Sequence, residues 1–312
     1  MIPPRLYKYM RGDENGILRL FRDEMLRFTQ PVEFNDPFEM QPFLKGLADE
    51  PTIEKQFHEG FGTNLGPEID AILAKLTPEQ RARVDRDSFS EKVQQQAPQA
   101  LSLFKTMMDV GTPLIGRQIY HTVNENLGAL CLTEEPVSLL MWAHYADNHK
   151  GAVIEFDARH AFFSRRRGPN DDFRHFREVT YTQQRPEVFL ADSDAIDFFY
   201  FKSTEWEYEH EWRLIVPLAE CSERIDRIAP DRPVCLFRVP AECIRSVILG
   251  CRMSELQKFK LTKLVRSNPS FRHVAFEQAE PDDRIFAIRR VPIAAEALDR
   301  WISNTPHYSG LV

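Results

Sequence analysis

The sequence predicts an α+β fold with a mixed, largely antiparallel sheet and a helical insertion. Short strand-like segments recur from the first residues to the last, and the helices between them vary in length, unlike those of a regular doubly wound sheet. From about residue 45 to residue 127 the composition changes to Gln, Glu, Ala and Leu with helical periodicity. We therefore expect one α+β domain over residues 1–312, with the insertion at residues 45–127.

The first elements follow from local patterns. The segment Arg5–Met10 (RLYKYM) has the aromatic content of a strand, GILRLFRDEML is helical, and a second strand is expected around Met25–Thr29. Pro31 and Pro37 interrupt the segment QPVEFNDPFEM, in which an Asn-Asp pair favours a turn capped by its own side chains. This loop connects the strands to the insertion.

The middle of the chain predicts three helices and then a strand-helix-strand unit. Helical periodicity is present in IDAILAKL, PEQRARVDRDSFSEKVQQQ and ALSLFKTMMDV. A strand is expected over Gly128–Thr133, followed by the helix SLLMWAHYADN, which Gly151 can end, and by the strand AVIEFD.

The remaining elements alternate in type. Mixed charges at residues 159–178 indicate a surface loop, VTYT a strand, DAIDFFYFKS a helix, and EYEHEWRLIVPL a segment that becomes a strand at its end. The strands VCLFRVP and SVILG, the helix SELQKFKLTKLVRS and a two-strand finish, HVAFEQAEPDDRIFAIRRVPI, complete the chain.

Composition excludes several classes of protein. Hydrophobic residues make up 43% of the chain, enough for a folded core, and the net charge of −7 lacks the basic excess typical of nucleic-acid binding. No apolar run approaches the roughly 20 residues that a membrane span needs, so we expect a cytoplasmic protein without membrane contact. Five cysteines without C-x-x-C spacing predict neither a disulfide framework nor a zinc site.

Familiar catalytic signatures are absent from the sequence. It has no G-x-G-x-x-G, no phosphate-binding G-x-x-x-x-G-K-[ST], no H-E-x-x-H and no G-x-S-x-G. His144 and His149 are five residues apart, which separates them by about 140° on a helix and disfavours a shared metal ion. We predict no metal site.

Two polar-aromatic boxes stand out before residue 150. FNDPFE places Asn35, Asp36 and Glu39 in a Pro-containing turn, which is either functional or a structural Asx-turn. MWAHYADNHKG places Trp142 and Tyr145 three apart on one helix face, with His144 between them. These aromatic residues line a site or belong to an amphipathic core.

A third box, KSTEWEYEHEWR, alternates glutamates with larger residues. In a strand, its carboxylates would all face one side and would need a cationic partner: Glu205, Glu207, Glu209 and Glu211. Lys202 and Arg213 are the candidate partners, and the alternative is a solvated acidic edge.

Together with LYKY at the start and a V-I-L-G strand followed by a helix, the three boxes resemble a widespread bacterial and phage family defined only as a domain of unknown function. The resemblance covers nearly the whole chain apart from the insertion. The residues that match the boxes of that family are Asn35, Asp36, Trp142, His144, Tyr145, Gly151, Glu209, Glu211 and Arg213.

A more distant similarity is to the ADP-ribosyltransferases. The aromatic first strand, the helix, the second strand and the late Glu-x-Glu box follow the order found in those enzymes, which implies a split sheet and NAD as the substrate. The resemblance makes Glu211 the catalytic carboxylate, which hydrogen-bonds the nicotinamide ribose and stabilises an oxocarbenium-like transition state. Glu209 would assist by orienting the acceptor.

The same resemblance assigns further residues. Tyr145 or Tyr9 would stack on nicotinamide, and Arg27 or Lys8 would meet the pyrophosphate. His144 joins Tyr145, Glu209 and Glu211 in the catalytic group. The other residues that it implies in NAD binding are Tyr7, Asn35, Asp36, Trp142 and Arg213.

The leading hypothesis is therefore an ADP-ribosyltransferase-like enzyme that uses NAD, a small-molecule nucleotide, with a protein or nucleic acid as acceptor, in phage defence or toxin biology. A metal-dependent nuclease or hydrolase is an alternative, with ligands drawn from Asp36, Glu39, His144 and Glu209. A ligand-sensing or protein-binding module is another, in which the boxes only build the core.

Overall fold

The computed structural model describes residues 1–14, 16–41, 43–191, 195–226 and 233–304. It confirms a mixed α+β class with a largely antiparallel sheet. The strands are β1 (Arg5–Met10), β2 (Met25–Phe28), β3 (Phe43–Gly46), β4 (Leu127–Thr133), β5 (Ala152–Asp157), β6 (Phe176–Glu178), β7 (Thr180–Thr182), β8 (Glu187–Phe189), β9 (Phe201–Ser203), β10 (Glu211–Pro217), β11 (Glu223–Ile225), β12 (Val234–Arg238), β13 (Ile244–Leu249), β14 (Ala275–Pro281) and β15 (Ile288–Pro292). The helices are α1 (Ile17–Asp23), α2 (Glu50–Ala74), α3 (Pro78–Arg81), α4 (Arg86–Gln95), α5 (Ala97–Asn126), α6 (Leu139–Tyr145), α7 (Glu255–Ser267) and α8 (Ala295–Asn304).

The chain forms two compact units. The first consists of the described residues within 1–40, 122–184 and 200–312, and it holds the main sheet. The second consists of the described residues within 41–121 and 185–199. It contains α2, α3, α4 and most of α5, which lie within the segment expected to be a helical insertion.

The main sheet has the strand order β15-β14-β13-β5-β1-β4-β10-β6. Its neighbouring strands are antiparallel except for β13 and β14, which are parallel. Strand β5 lies inside the sheet, and its first five residues, AVIEF, are all buried. A run of this kind suits a strand that is covered on both faces.

Side chains of β1 alternate between the two faces of this sheet. Leu6 and Met10 belong to a large core that includes apolar residues of α1 and α7. Tyr7 and Tyr9 belong to a smaller core on the opposite face, with Trp142 of α6. The rings of Tyr9 and Trp142 meet edge to face at 5.3 Å between centroids. This period of two is what the strand pattern predicts.

A second sheet of the same unit has the order β11-β12-β2. Its strand β2 begins at Met25, as the sequence predicts, but α1 ends at Asp23 and is shorter than the periodicity suggested. The reason is Glu24, whose left-handed conformation (φ 58°) stops the helix and redirects the chain. After β2, Thr29 forms an isolated bridge with Ala129 of β4.

The chain reverses sharply after α6. Residues 147–149 all have left-handed φ angles, of 48°, 53° and 69°. A Cβ at Gly151 would lie 2.1 Å from the carbonyl oxygen of Met10, and one at Gly250 would lie 2.2 Å from that of His149. Only glycine fits where these backbones approach so closely.

The segment before β10 differs from the sequence prediction. The helix expected in DAIDFFYFKS is a 3₁₀ helix over Ala195–Tyr200 followed by β9, and Asp194 lies outside the described residues. The segment Thr204–Glu209 is also a 3₁₀ helix rather than strand. Strand β9 pairs in parallel with β7, so a distant partner rather than local propensity fixes its conformation.

In the second unit, aromatic rings and ion pairs hold the helices together. Phe57 stacks on Phe61 with centroids 5.5 Å apart, and its ring is 6.2 Å from that of Phe104 on α5. Arg86 of α4 pairs with Asp70 of α2 at 2.7 Å. Strands β3 and β8 form a parallel pair. In the part of the chain that the structure describes, no helix has the length and apolarity needed to cross a bilayer.

Candidate active site

The main sheet opens between β1 and β4. Strand β1 pairs with β5 along its whole length, but with β4 only where Tyr7 faces Thr133. Beyond that point β4 bridges to Thr29 after β2 instead. A cavity of about 250 Å³ lies at this opening. It is lined by Tyr7, Lys8, Tyr9, Thr29, Glu33, Phe34, Asn35, Glu39, Ala129, Cys131, Leu132, Thr133, Met141, Tyr145, Lys202, Glu209 and Glu211.

Five buried charged groups lie together at this cavity. The ammonium of Lys202 lies 2.6 Å from Glu209 Oε2, 2.9 Å from Glu211 Oε2 and 3.4 Å from Glu39 Oε1. The guanidinium of Arg213 binds Glu211 at 2.8 Å and also pairs with Glu39. Each of the five is at most 6% exposed. Lys202 and Arg213, the cationic partners predicted for the KSTEWEYEHEWR box, pair with Glu209 and Glu211 of that box.

These contacts shift the acidities within the cluster. Burial alone would raise the pKa of Glu211, but Arg213 and Lys202 outweigh it and lower that pKa to about 2. Burial is the main reason that the pKa of Glu39 is raised, against the opposing effect of Arg213. Burial would lower the pKa of Lys202, yet the three carboxylates raise it. Glu211 is therefore an anion, and Lys202 a cation, at neutral pH.

A tight turn brings Glu209 and Glu211 into the same cluster. The 3₁₀ helix ends at Glu209, His210 adopts a left-handed conformation (φ 43°), and β10 begins at Glu211. The hydroxyl of Thr133 donates to the carbonyl of Glu209, and the Glu211 N–H donates to the Tyr181 hydroxyl at 2.8 Å. The turn thus sets two carboxylates from neighbouring positions around one ammonium.

Of the two alternatives for the KSTEWEYEHEWR box, four carboxylates on one side of a strand and a solvated acidic edge, the structure matches neither over the whole box. Glu205 and Glu207 lie on the 3₁₀ helix and are exposed, whereas Glu209 and Glu211 are buried. A 3₁₀ helix has three residues per turn, so it does not keep the two-residue period of a strand.

Tyr145 connects this cluster to the FNDPFE box. Its hydroxyl donates to Glu209 Oε1 at 2.6 Å and accepts from Asn35 Nδ2 at 2.9 Å. Burial, and next the negative charge of Glu209, raise the pKa of Tyr145. Tyr145 is therefore a neutral hydrogen-bond donor at physiological pH.

The rest of the FNDPFE box forms a turn that contributes to the charged cluster. Asp36 Oδ1 accepts from the Phe38 N–H at 2.8 Å, which is the Asx-turn that the sequence predicts. That turn presents Glu39 to Arg213, and the Phe34 ring lies 5.5 Å from the Arg213 guanidinium. The box is both a structural turn and a part of the charged cluster.

Five residues assigned to the site from the sequence do not line this cavity, and one of them, Arg27, lines the second cavity described below. Trp142 is fully buried in the core, where its indole N–H donates to the Pro136 carbonyl at 3.2 Å. His144 is exposed, and its Nδ1 lies 3.1 Å from the Tyr208 hydroxyl. Asp36 is occupied with its turn, and Arg213 lies behind the carboxylates. The amphipathic-core interpretation therefore describes Trp142.

A second cavity, of about 620 Å³, shares part of its wall with the first. Lys8, Tyr9, Thr29 and Tyr145 line both. The basic side chains around the second cavity are Lys8, Arg11, Arg19 and Arg27. Arg27 and Lys8 were predicted from the sequence to meet a pyrophosphate. Arg11 and Arg19 were not, since only the packing of β1, α1 and β2 brings them near this cavity.

The guanidinium of Arg27 is incompletely satisfied by the protein. Its Nη2 lies 3.3 Å from a Glu33 carboxylate oxygen, and its buried Nε has no hydrogen-bond partner in the part of the chain that the structure describes. Arg11 is paired with Asp13 at 3.1 Å. The wall of the second cavity thus carries an excess of positive charge, whereas the wall of the first carries the three carboxylates of the charged cluster. We call this group of five charged residues the acidic cluster.

No metal-binding arrangement is found among the described residues: none of their groups of three or more His, Cys, Asp and Glu could hold a metal ion. Within the acidic cluster, Lys202 and Arg213 already lie between the carboxylates. In the described part of the chain, the side chains of Asp36 and His144 form no hydrogen bond with the carboxylates of Glu39 or Glu209.

The segment from α6 to β10 carries both the MWAHYADNHKG box and the KSTEWEYEHEWR box. Residues 141–214 match the model of the family described as Protein of unknown function (DUF2971). This match supports the resemblance to a domain-of-unknown-function family, although LYKY and FNDPFE lie outside the matched segment. No curated protein and no solved structure matches the chain. The DUF2971 segment supplies Tyr145, Glu209 and Glu211 to the cavity.

Proposed function

We propose that the protein is an NAD-consuming enzyme of the ADP-ribosyltransferase type. It would break the bond between nicotinamide and the ribose C1 atom and transfer the ADP-ribosyl group to an acceptor. The observation that carries the proposal is a buried Glu211, paired with Lys202 and Arg213, on the wall of a cavity that adjoins a basic one. An anion next to a cationic phosphate-binding region is the charge pattern that this reaction needs.

The electrostatics of the cluster favour a positively charged transition state. Departure of nicotinamide leaves positive charge on the ribose ring, which a fixed carboxylate stabilises. Within the cluster, Glu211 supplies this negative charge, because Arg213 and Lys202 lower its pKa to about 2. These two cations also hold Glu211 in place, so little reorganisation is required during the reaction.

Glu209 and Tyr145 have supporting roles in this proposal. The carboxylate of Glu209 orients the incoming acceptor, and the tyrosine hydroxyl and Lys202 fix its position. The ring of Tyr145 lies where the two cavities meet, which suits stacking on nicotinamide.

The pyrophosphate would lie in the second cavity. Arg27 offers a buried Nε–H group that has no hydrogen-bond partner among the described residues and that can form a charge-assisted hydrogen bond to a phosphate oxygen. Arg11 and Arg19 add positive charge on the same wall. The opening between β1 and β4 supports this proposal, because the resemblance to ADP-ribosyltransferases implies a split sheet.

The test is release of nicotinamide from NAD by the full chain, compared between wild type, Glu211→Gln and Glu207→Gln. Glu207 is an exposed residue of the same box and serves as the matched control. We expect Glu211→Gln to lower the rate about 10²- to 10³-fold, a usual cost of losing one preorganised electrostatic group. Glu207→Gln should keep the wild-type rate.

A binding measurement distinguishes lost chemistry from lost folding. NAD at 100 times its dissociation constant should stabilise the wild type by roughly 2.7 kcal/mol, visible as a higher melting temperature. Glu211→Gln should still melt cooperatively and respond to NAD. Wild-type activity in Glu211→Gln, or a wild-type protein that neither releases nicotinamide nor responds to NAD, would overturn the proposal.

A further inference from the structure

Lys8 occupies an unusual position in the opened sheet. It follows Tyr7, the last point at which β1 is paired with β4, and it lines both cavities. Its ammonium nitrogen donates to the Cys131 carbonyl across the opening at 3.3 Å. Among the described residues this carbonyl is its one hydrogen-bond partner, and no carboxylate lies within ion-pair distance.

Such a lysine differs from Lys202 in its chemistry. Lys202 is surrounded by carboxylates that keep it protonated, whereas burial lowers the pKa of Lys8. Cys131 and Glu211 oppose this shift, and Arg27 adds to it. A lysine that is desolvated or placed next to another cation becomes a nucleophilic amine.

The neighbouring thiol does not compete as a nucleophile. Burial raises the pKa of Cys131 well above its ordinary value, so the group remains a neutral thiol. The amine of Lys8 is therefore the group in the cavity that is suited to attack an electrophilic carbon.

We propose that Lys8 captures the carbonyl carbon of an aldehyde that carries a phosphate group and forms an imine with it. The Nζ lone pair forms the new bond to carbon, and the carbonyl oxygen leaves as water with the two hydrogens of the neutral amine. No oxidant or reductant takes part. The arginines of the second cavity, Arg11, Arg19 and Arg27, select for the phosphate.

This inference goes beyond the proposed function and does not depend on it, since the reaction requires no NAD. The two are compatible, because ADP-ribose with its ribose ring open is itself an aldehyde that carries phosphate. A ligand with its carbonyl at Lys8 would extend its phosphate along the shared wall into the second cavity.

The experiment uses pyridoxal 5′-phosphate as the probe, with pyridoxal as the control that lacks phosphate. Imine formation is followed by its visible absorbance, borohydride reduces the imine to a stable amine, and peptide mass mapping locates the product. We expect Lys8 to be modified faster than the exposed Lys150, because Lys8 lines the cavity that holds the arginines and burial lowers its pKa. Pyridoxal should modify Lys8 more slowly, and inorganic phosphate should compete.

The matched variants are Lys8→Arg, which keeps the charge but cannot form an imine, and Lys150→Arg. We expect the first to abolish the fast absorbance change and the second to leave it intact, with melting temperatures measured for both. Modification of Lys8 no faster than of Lys150, or a fast imine that persists in Lys8→Arg, would overturn the proposal. Because NAD is absent from the assay, these outcomes leave the test of nicotinamide release unaffected.

Discussion

Replacing Lys202 with methionine tests whether the acidic cluster holds the first unit together. Methionine preserves much of the volume but removes the ammonium that three buried carboxylates share. Removing one partner of a buried ion pair costs about 3–5 kcal/mol, because a buried charge loses its compensation. For a unit of this size that corresponds to a fall in melting temperature of roughly 6–20 °C.

The effect should depend on pH in a defined direction. The folded-state pKa of Glu211 is lowered to about 2, below its ordinary value of 4.5. Its contribution to stability is therefore fully present above pH 4.5 and is lost as the pH falls toward 2. Since Lys202 helps to lower that pKa, the difference between wild type and Lys202→Met should narrow as the pH falls below 4.5.

The assay is thermal unfolding of wild type, Lys202→Met and the exposed-site control Lys150→Met at pH 7 and at about pH 4. The control should stay close to wild type at both pH values, as is usual for surface substitutions. A loss below about 1 kcal/mol at pH 7, typical of a surface ion pair, would refute the argument that this cluster is a buried, interdependent unit.

Three further outcomes are expected from unfolding measurements. Gly151→Ala should destabilise the protein because its new Cβ would meet the Met10 carbonyl oxygen at 2.1 Å, whereas Gly168→Ala, with nothing within 4 Å, should not. Trp142→Ala should lower the free energy of unfolding by about 3–5 kcal/mol because it empties a fully buried site. Tyr145→Phe should cost about 1–3 kcal/mol because a buried carboxylate oxygen loses its donor, and a cost near zero would contradict that hydrogen bond.

Much of the fold can be predicted from the sequence because its signals are local. The alternation in RLYKYM and the apolar run AVIEF predict β1 and β5. The Asx-turn at Asp36 can be predicted because an Asp side chain readily accepts a hydrogen bond from the backbone N–H two residues later. Lys202 and Arg213 could be named as partners because four nearby glutamates required cations.

The cavity itself could not be predicted in the same way. It arises because β1 leaves β4 after Tyr7, and strand pairing between distant segments has no local signature. The same applies to Arg11 and Arg19, which become neighbours of the site only through packing. The 3₁₀ helix at Thr204–Glu209 could not be predicted, because alternating glutamates fit a strand and a solvated edge equally well.

The sharing of charge in the acidic cluster has an evolutionary consequence. Glu39, Lys202 and Arg213 come from separate segments of the chain. Each carries a charge that its partners need, because a buried charge without an ion-pair partner is destabilising. A single substitution at any one of them should lower the free energy of unfolding. A second substitution that restores the charge balance can recover it. In sequences related to this chain, substitutions at these three positions should therefore occur together. Covariation among them would then identify the cluster without a structure.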